Sequence, residues 1–121
     1  SSLPCHKHAI QVGLSVGDTE YAMINAQLYL GTALSSGQAL GPLMDEMRVY
    51  SKQMVEYKHH YMYTMIKPLS QAALNLLGRS ADPVKLTGEE MDEDDLLMTL
   101  KGDGNVTPLI NFYRLWLAYL F

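Results

Sequence analysis

The residues of this chain that could do chemistry are few, and they are mostly zinc-type ligands. Cys5, His6 and His8 lie near the start, and His59 and His60 lie in the middle. Neither group has the ligand gaps that are typical of a zinc finger, and adjacent histidines on a helix point in different directions. The single cysteine is a nucleophile candidate only beside a base, and the sequence locates none. We therefore predict no metal, no cofactor and no catalytic residue.

Carboxylates are concentrated in the second half of the chain, at Glu89, Glu90, Asp92, Glu93, Asp94 and Asp95. The run lacks the alternating oxygen ligands and central glycine of an EF-hand loop. Helix capping and a solvated helix face account for it better than a cation or a basic partner. The glycines of residues 101–105 precede no Gly-Lys-Ser/Thr, so they form no phosphate-binding loop.

The composition predicts one small globular domain. The chain has 121 residues, of which 48% are hydrophobic and 18% charged, enough to bury a core. Its formal net charge of −4 disfavours binding to nucleic acid. The longest apolar run, residues 115–121, is far shorter than the about 20 residues of a membrane span. One cysteine forms no internal disulfide, which favours a cytoplasmic location.

The two ends of the chain favour a fragment of a longer protein. It has no initiator methionine and stops at Phe121, within its most apolar stretch. Natural termini are usually polar. We therefore expect residues 1–121 to be a single helical domain cut from a larger multidomain protein.

The elements that must position these residues are helices. Strand-like alternation never persists, and good helix formers dominate the long segments. The predicted helices cover residues 5–16, 19–35, from 38–42 to about 61, 62–77, from 88 or 93 to 101, and from 107 onward. A change of phase near residues 58–60 leaves open whether one helix bends there or two helices meet. Pro68 predicts a kink or a nearby helix start. The fold class is all-α, with five or six helices in stacked hairpins and no β-sheet.

Turn and cap residues separate the predicted helices. Gly37 and Gly78 follow helix ends, where glycine accepts the left-handed conformation. Asp18 caps the second helix, and Thr87 begins a capping box for which Asp92 is the alternative start. Threonine before proline opens the last helix. The predicted turn and cap residues, with an alanine at the first helix crossing, are Gly17, Asp18, Ala22, Gly37, Gly78, Thr87, Thr107 and Pro108.

Apolar patterns predict what the helices bury. The helix over residues 19–35 is apolar nearly all round, so we expect it to be buried between neighbours. Its small residues, which allow close approach, are Ala22, Ala26, Gly31 and Ala33. The next helix has one amphipathic stripe: Leu40, Leu43, Met47, Tyr50, Met54, Tyr57 and Tyr61.

Part of this stripe, together with the nearby Tyr63, is the predicted partner-binding surface. Tyrosine is favoured at interfaces, and methionine-rich grooves accept varied helices. Ordinary helix packing explains the same pattern and stays open as the alternative. The candidate partner-binding residues are Tyr50, Met54, Tyr57, Tyr61 and Tyr63.

Four segments together resemble a known helical region. Gly17-Asp-Thr-Glu-Tyr-Ala22 resembles the turn of a tetratricopeptide repeat, in which a small residue lies where two helices cross. With it, Ser36-Gly-Gln-Ala-Leu40, Gln71-Ala-Ala-Leu-Asn-Leu-Leu-Gly78 and Leu86-Thr-Gly-Glu89 with Asp92-Glu93 are similar to the tetratricopeptide-like region of multidomain signalling proteins. Those proteins join an AAA-type ATPase to serine/threonine kinase, GAF, PAS, histidine-kinase or cyclase domains. The regular period of a repeat array is absent here.

The resemblance implies a non-catalytic scaffold that mediates protein–protein or interdomain coupling in a signalling ATPase or kinase. Its partners would be neighbouring domains or a separate protein, with no nucleic acid and no membrane. The alternative is a helical sensor whose Met/Tyr-lined interior binds an apolar small ligand. A third option is a homodimer formed through exposed apolar helices.

Overall fold

The computed structural model describes residues 3–78, 82–99, 104 and 106–121. In these ranges it has six helices, α1 (Leu3–Ser15), α2 (Thr19–Ser35), α3 (Leu40–Glu56), α4 (His60–Leu76), α5 (Glu93–Thr99) and α6 (Val106–Leu120). The one β-type pairing in the described residues is an isolated bridge between Thr87 and Asp92. The all-α prediction is therefore confirmed. Among the described helices, none combines the length and apolar character needed to span a membrane.

The first three helices end in the same hydrogen-bonded turn. After α1, the amide of Asp18 donates to the carbonyl of Gly13 over 2.8 Å, and the amide of His59 donates to Met54 over 2.8 Å after α3. This Schellman arrangement needs a left-handed residue just beyond the helix. Left-handed residues stand at positions 17, 37, 58 and 78, with φ of 80°, 79°, 62° and 77°. They recur every 20 or 21 positions, and Lys58 is the one among them that is not glycine.

The chain divides into two compact units, Ser1–Ile66 and Lys67–Phe121, with the boundary inside α4. The prediction of a single domain therefore stays a prediction. In the first unit α1 packs on α2, and α2 packs on α3. A Cβ on Gly13 would lie 3.0 Å from the Cβ of Ala22, so this crossing needs the small residue predicted at position 22 and also a glycine at position 13. The core of this unit comprises Ile10, Ala22, Met23, Ala26, Tyr29, Leu30, Ala33, Leu34, Leu43, Met44, Met47, Met54, Met65 and Ile66.

One face of α2 contradicts the expectation that this helix is buried all round. Tyr21, Ile24 and Leu28 are exposed. The space around Gly31 is open, so Gly31 permits no close helix approach. The reason is that α1 and α3 cover two faces of α2 and leave the third uncovered.

Two open questions about the central helices are resolved by the structure. The backbone turns at Lys58, so α3 ends at Glu56 and α4 begins at His60 as a separate helix. Pro68 lies inside α4 and is buried, so no helix starts there.

Two buried amides on α4 hold an irregular segment in the second unit. The Asn75 amide Nδ2 donates to the carbonyls of Pro83 over 3.2 Å and Lys85 over 2.8 Å. Gln71 donates from Nε2 to Asn75 Oδ1 over 2.9 Å, and its Oε1 accepts from the amide of Glu90 over 2.9 Å. Both side chains are fully buried. Residues 83–90 therefore have a defined path although they form no helix.

The start of α5 follows the alternative cap. Asp92 Oδ1 accepts from the amides of Asp94 and Asp95 over 3.0 and 3.1 Å. The predicted capping box at Thr87 is wrong, because Thr87 Oγ1 accepts instead from the amide of Glu93 over 3.3 Å. The end of this helix predicted at residue 101 lies outside the described residues.

The last helix begins before its predicted cap at Thr107. α6 starts at Val106, so Thr107 lies inside the first turn and is not the cap. Pro108 is tolerated in that turn because first-turn amides have no intrahelical acceptor. The predicted caps and turns at Asp18, Gly37 and Gly78 are confirmed by the Asp18 hydrogen bond to the amide of Tyr21 and by the left-handed glycines.

Candidate functional site

A polar cluster joins the three helices of the first unit. Lys7 Nζ on α1 lies 3.0 Å from Glu46 Oε2 on α3. The hydroxyl of Tyr29 on α2 donates to the other oxygen of Glu46 over 2.8 Å. The ammonium of Lys7 also stands 5.2 Å from the centre of the Tyr29 ring. One carboxylate thus connects α1 and α2 to α3 through charge-assisted hydrogen bonds.

The pKa values of Lys7, Tyr29 and Tyr50 in and beside this cluster are all raised, further from neutral pH. The hydrogen bond to Glu46 raises the pKa of the Lys7 ammonium, partly offset by burial. Burial, and then the hydrogen bond to Glu46, raises the pKa of Tyr29. Burial also raises the pKa of the neighbouring Tyr50. A general acid or base works best with a pKa near the operating pH, so these three groups suit structural support better than proton transfer.

An open apolar cleft runs between α1 and α3 beside this cluster. Its volume is about 370 Å³, within the range of ligand-binding clefts. We call it the α1–α3 groove and define it by Ile10, Leu14, Asp45, Val49, Tyr50 and Gln53. Val49 is 56% exposed although it is apolar. The groove therefore presents hydrophobic surface that nothing in the described chain covers fully.

The α3 side of the groove has a helical register. Asp45, Val49 and Gln53 are spaced by four residues, so they lie along one face over about 12 Å of helix. The Asp45 side chain is 81% exposed at one end. At the other end, Gln53 Oε1 is buried and has no hydrogen-bond partner among the described residues. The cleft therefore combines an apolar middle with an acidic end.

The structure separates the five residues predicted to bind a partner. Tyr50 lines the groove, and its ring packs edge-on against Tyr29 with centroids 6.4 Å apart. Met54 is wrong as a surface residue, because its side chain is completely buried in the core. Tyr57 and Tyr61 are exposed and Tyr63 is partly buried, and none of these three lines the groove.

The candidate metal ligands do not come together. His6 Nδ1 lies 3.4 Å from Asn25 Oδ1, and His59 Nε2 lies 3.0 Å from Thr19 Oγ1. Cys5 is exposed. Across the described residues, no three histidine, cysteine or acidic side chains are placed to share a metal ion.

One carboxylate of the acidic run is buried, which the sequence does not indicate. The Glu93 side chain is 3% exposed and pairs with Arg114 Nε on α6 at 3.4 Å. This contact lacks hydrogen-bond geometry, so the pair is ionic only. The next two residues along the helix, Asp94 and Asp95, are exposed. The run thus mixes a cap, a buried ion pair and solvated residues.

The last helix has two apolar faces. Ile110 and Leu117 are buried, and Tyr113 lies partly buried on the same side. On the opposite side, four exposed residues follow the spacing 4-3-4, and we call them the α6 outer stripe: Pro108, Phe112, Leu115 and Tyr119. That spacing is typical of a helix that packs against a partner helix or groove. The spacing is visible in the sequence, but only the structure shows which of the two faces of α6 is buried.

Comparison with family models, curated proteins and solved structures found no match. The resemblance to a tetratricopeptide-like region of signalling proteins therefore stays a prediction. What points to a function is the geometry of the α1–α3 groove and of the α6 outer stripe.

Proposed function

We propose that this chain is a non-catalytic helical interaction module whose α1–α3 groove binds an amphipathic helix of a partner protein or neighbouring domain. The observation that carries the proposal is the exposed apolar middle of the groove, centred on Val49. Isolated exposed apolar residues are normal on protein surfaces. Here the residue lies in a cleft walled by two helices, which is a site where a partner's side chains can be removed from water.

The polar cluster supports a preformed groove. Glu46 is bonded to Lys7 on α1 and to Tyr29 on α2, so the two walls of the cleft are tied at one end. Gly13 against Ala22 fixes the α1–α2 crossing. A preformed site binds with a smaller loss of conformational entropy than one that must order first.

The groove also indicates the chemistry of its partner. Apolar side chains at helical spacing would fill the space between Ile10, Leu14 and Val49. A lysine or arginine on the partner would face the exposed Asp45.

Two further readings are kept beside this one. Within a signalling ATPase or kinase, as the resemblance implies, the bound helix would belong to a neighbouring domain and the module would couple the two. A small apolar ligand is the second candidate, because a cleft of about 370 Å³ can hold one. In that case the protein would be a sensor.

The test is direct binding of a defined probe. A fluorescent amphipathic helical peptide with leucines at i, i+3 and i+7 and one lysine on the flank would be titrated by fluorescence anisotropy. We expect Val49→Asp to weaken binding at least tenfold, because it places a charge in the apolar middle of the groove. Val16→Asp is the matched control, since Val16 is exposed and does not line the groove.

Each result decides between the candidates. Equal affinity of the wild-type chain and Val49→Asp for the peptide would contradict a helix-binding groove. Binding of an apolar fluorescent dye that is lost in Val49→Asp, with no peptide binding, would instead support the sensor. Circular dichroism of both variants checks that they are folded.

A further inference from the structure

We draw no further inference here: the strongest candidate, the exposed apolar face of α6 that bears Phe112, Leu115 and Tyr119, carries none, because nothing in the structure shows what covers it.

Discussion

Replacement of Asn75 by alanine should destabilise the second unit strongly. The Asn75 side chain is completely buried and takes part in three hydrogen bonds, to the carbonyls of Pro83 and Lys85 and to the amide of Gln71. Alanine removes all three and leaves the carbonyl oxygens of Pro83 and Lys85 without this donor. The segment that passes over α4 loses its main polar attachment.

The expected magnitude follows from the number of bonds. A net contribution of about 1 kcal/mol for each hydrogen bond gives a loss of about 3 kcal/mol in the free energy of unfolding. Asn75→Asp should cost at least as much at neutral pH. It keeps the shape of the side chain but turns a carboxylate oxygen toward two carbonyl oxygens.

Urea unfolding followed by the fluorescence of Trp116 measures this loss, because Trp116 is the only tryptophan and lies in the second unit. Asn111→Ala is the matched control on an exposed face of α6, with an expected change below about 0.5 kcal/mol. A loss under about 1 kcal/mol in Asn75→Ala, with Asn75→Asp close to wild type, would refute the reasoning. Packing, and not hydrogen bonding, would then position the segment.

The remaining predictions test other parts of the fold. Gly88→Ala should lower the free energy of unfolding by about 2 kcal/mol, because its Cβ would lie 2.7 Å from the buried Gln71 Nε2. Gly31→Ala is the control, since the space around Gly31 is open, and it should raise the free energy of unfolding by about 0.5 kcal/mol. Lys58→Gly should raise it by about 0.5 kcal/mol, since a left-handed lysine is strained, and a lower melting temperature would contradict this. Burial raises the pKa of Tyr113 to about 12, so its contribution to stability is complete below about pH 10 and is lost as pH rises toward that value. From about pH 9 to about pH 12 the wild-type chain should therefore lose about 2 kcal/mol more than Tyr113→Phe; parallel loss in both would contradict the assignment. Finally, the purified chain should show no ATP hydrolysis in a phosphate-release assay, and measured turnover would contradict a non-catalytic module.

The helices are the part of this structure that the sequence predicts well. Glycines at positions 17, 37 and 78 and the carboxylate of Asp18 act locally, within a few residues of the helix ends that they define. Lys58 shows the limit of such signals. The same left-handed turn forms there without glycine, and the hydrogen bond from the amide of His59 to the carbonyl of Met54 closes it.

Contacts between residues distant in sequence could not be predicted. Glu93 and Asp94 are adjacent and chemically alike, yet one is buried against Arg114 and the other is exposed. The amphipathic stripe of α3 is a second example, because Tyr50 and Met54 belong to one sequence pattern but have different environments. Met54 lies in the core, while Tyr50 borders the groove.

The central claim is that the α1–α3 groove binds a helix, and an NMR titration tests it most directly. Amide signals of the isotope-labelled chain would be followed while the amphipathic peptide with its three leucines and one lysine is added. We expect the signals that move to belong to both walls of the cleft, including Leu14, Val49 and Gln53. Changes confined to the exposed face of α2 around Ile24, or no changes at saturating peptide, would contradict it.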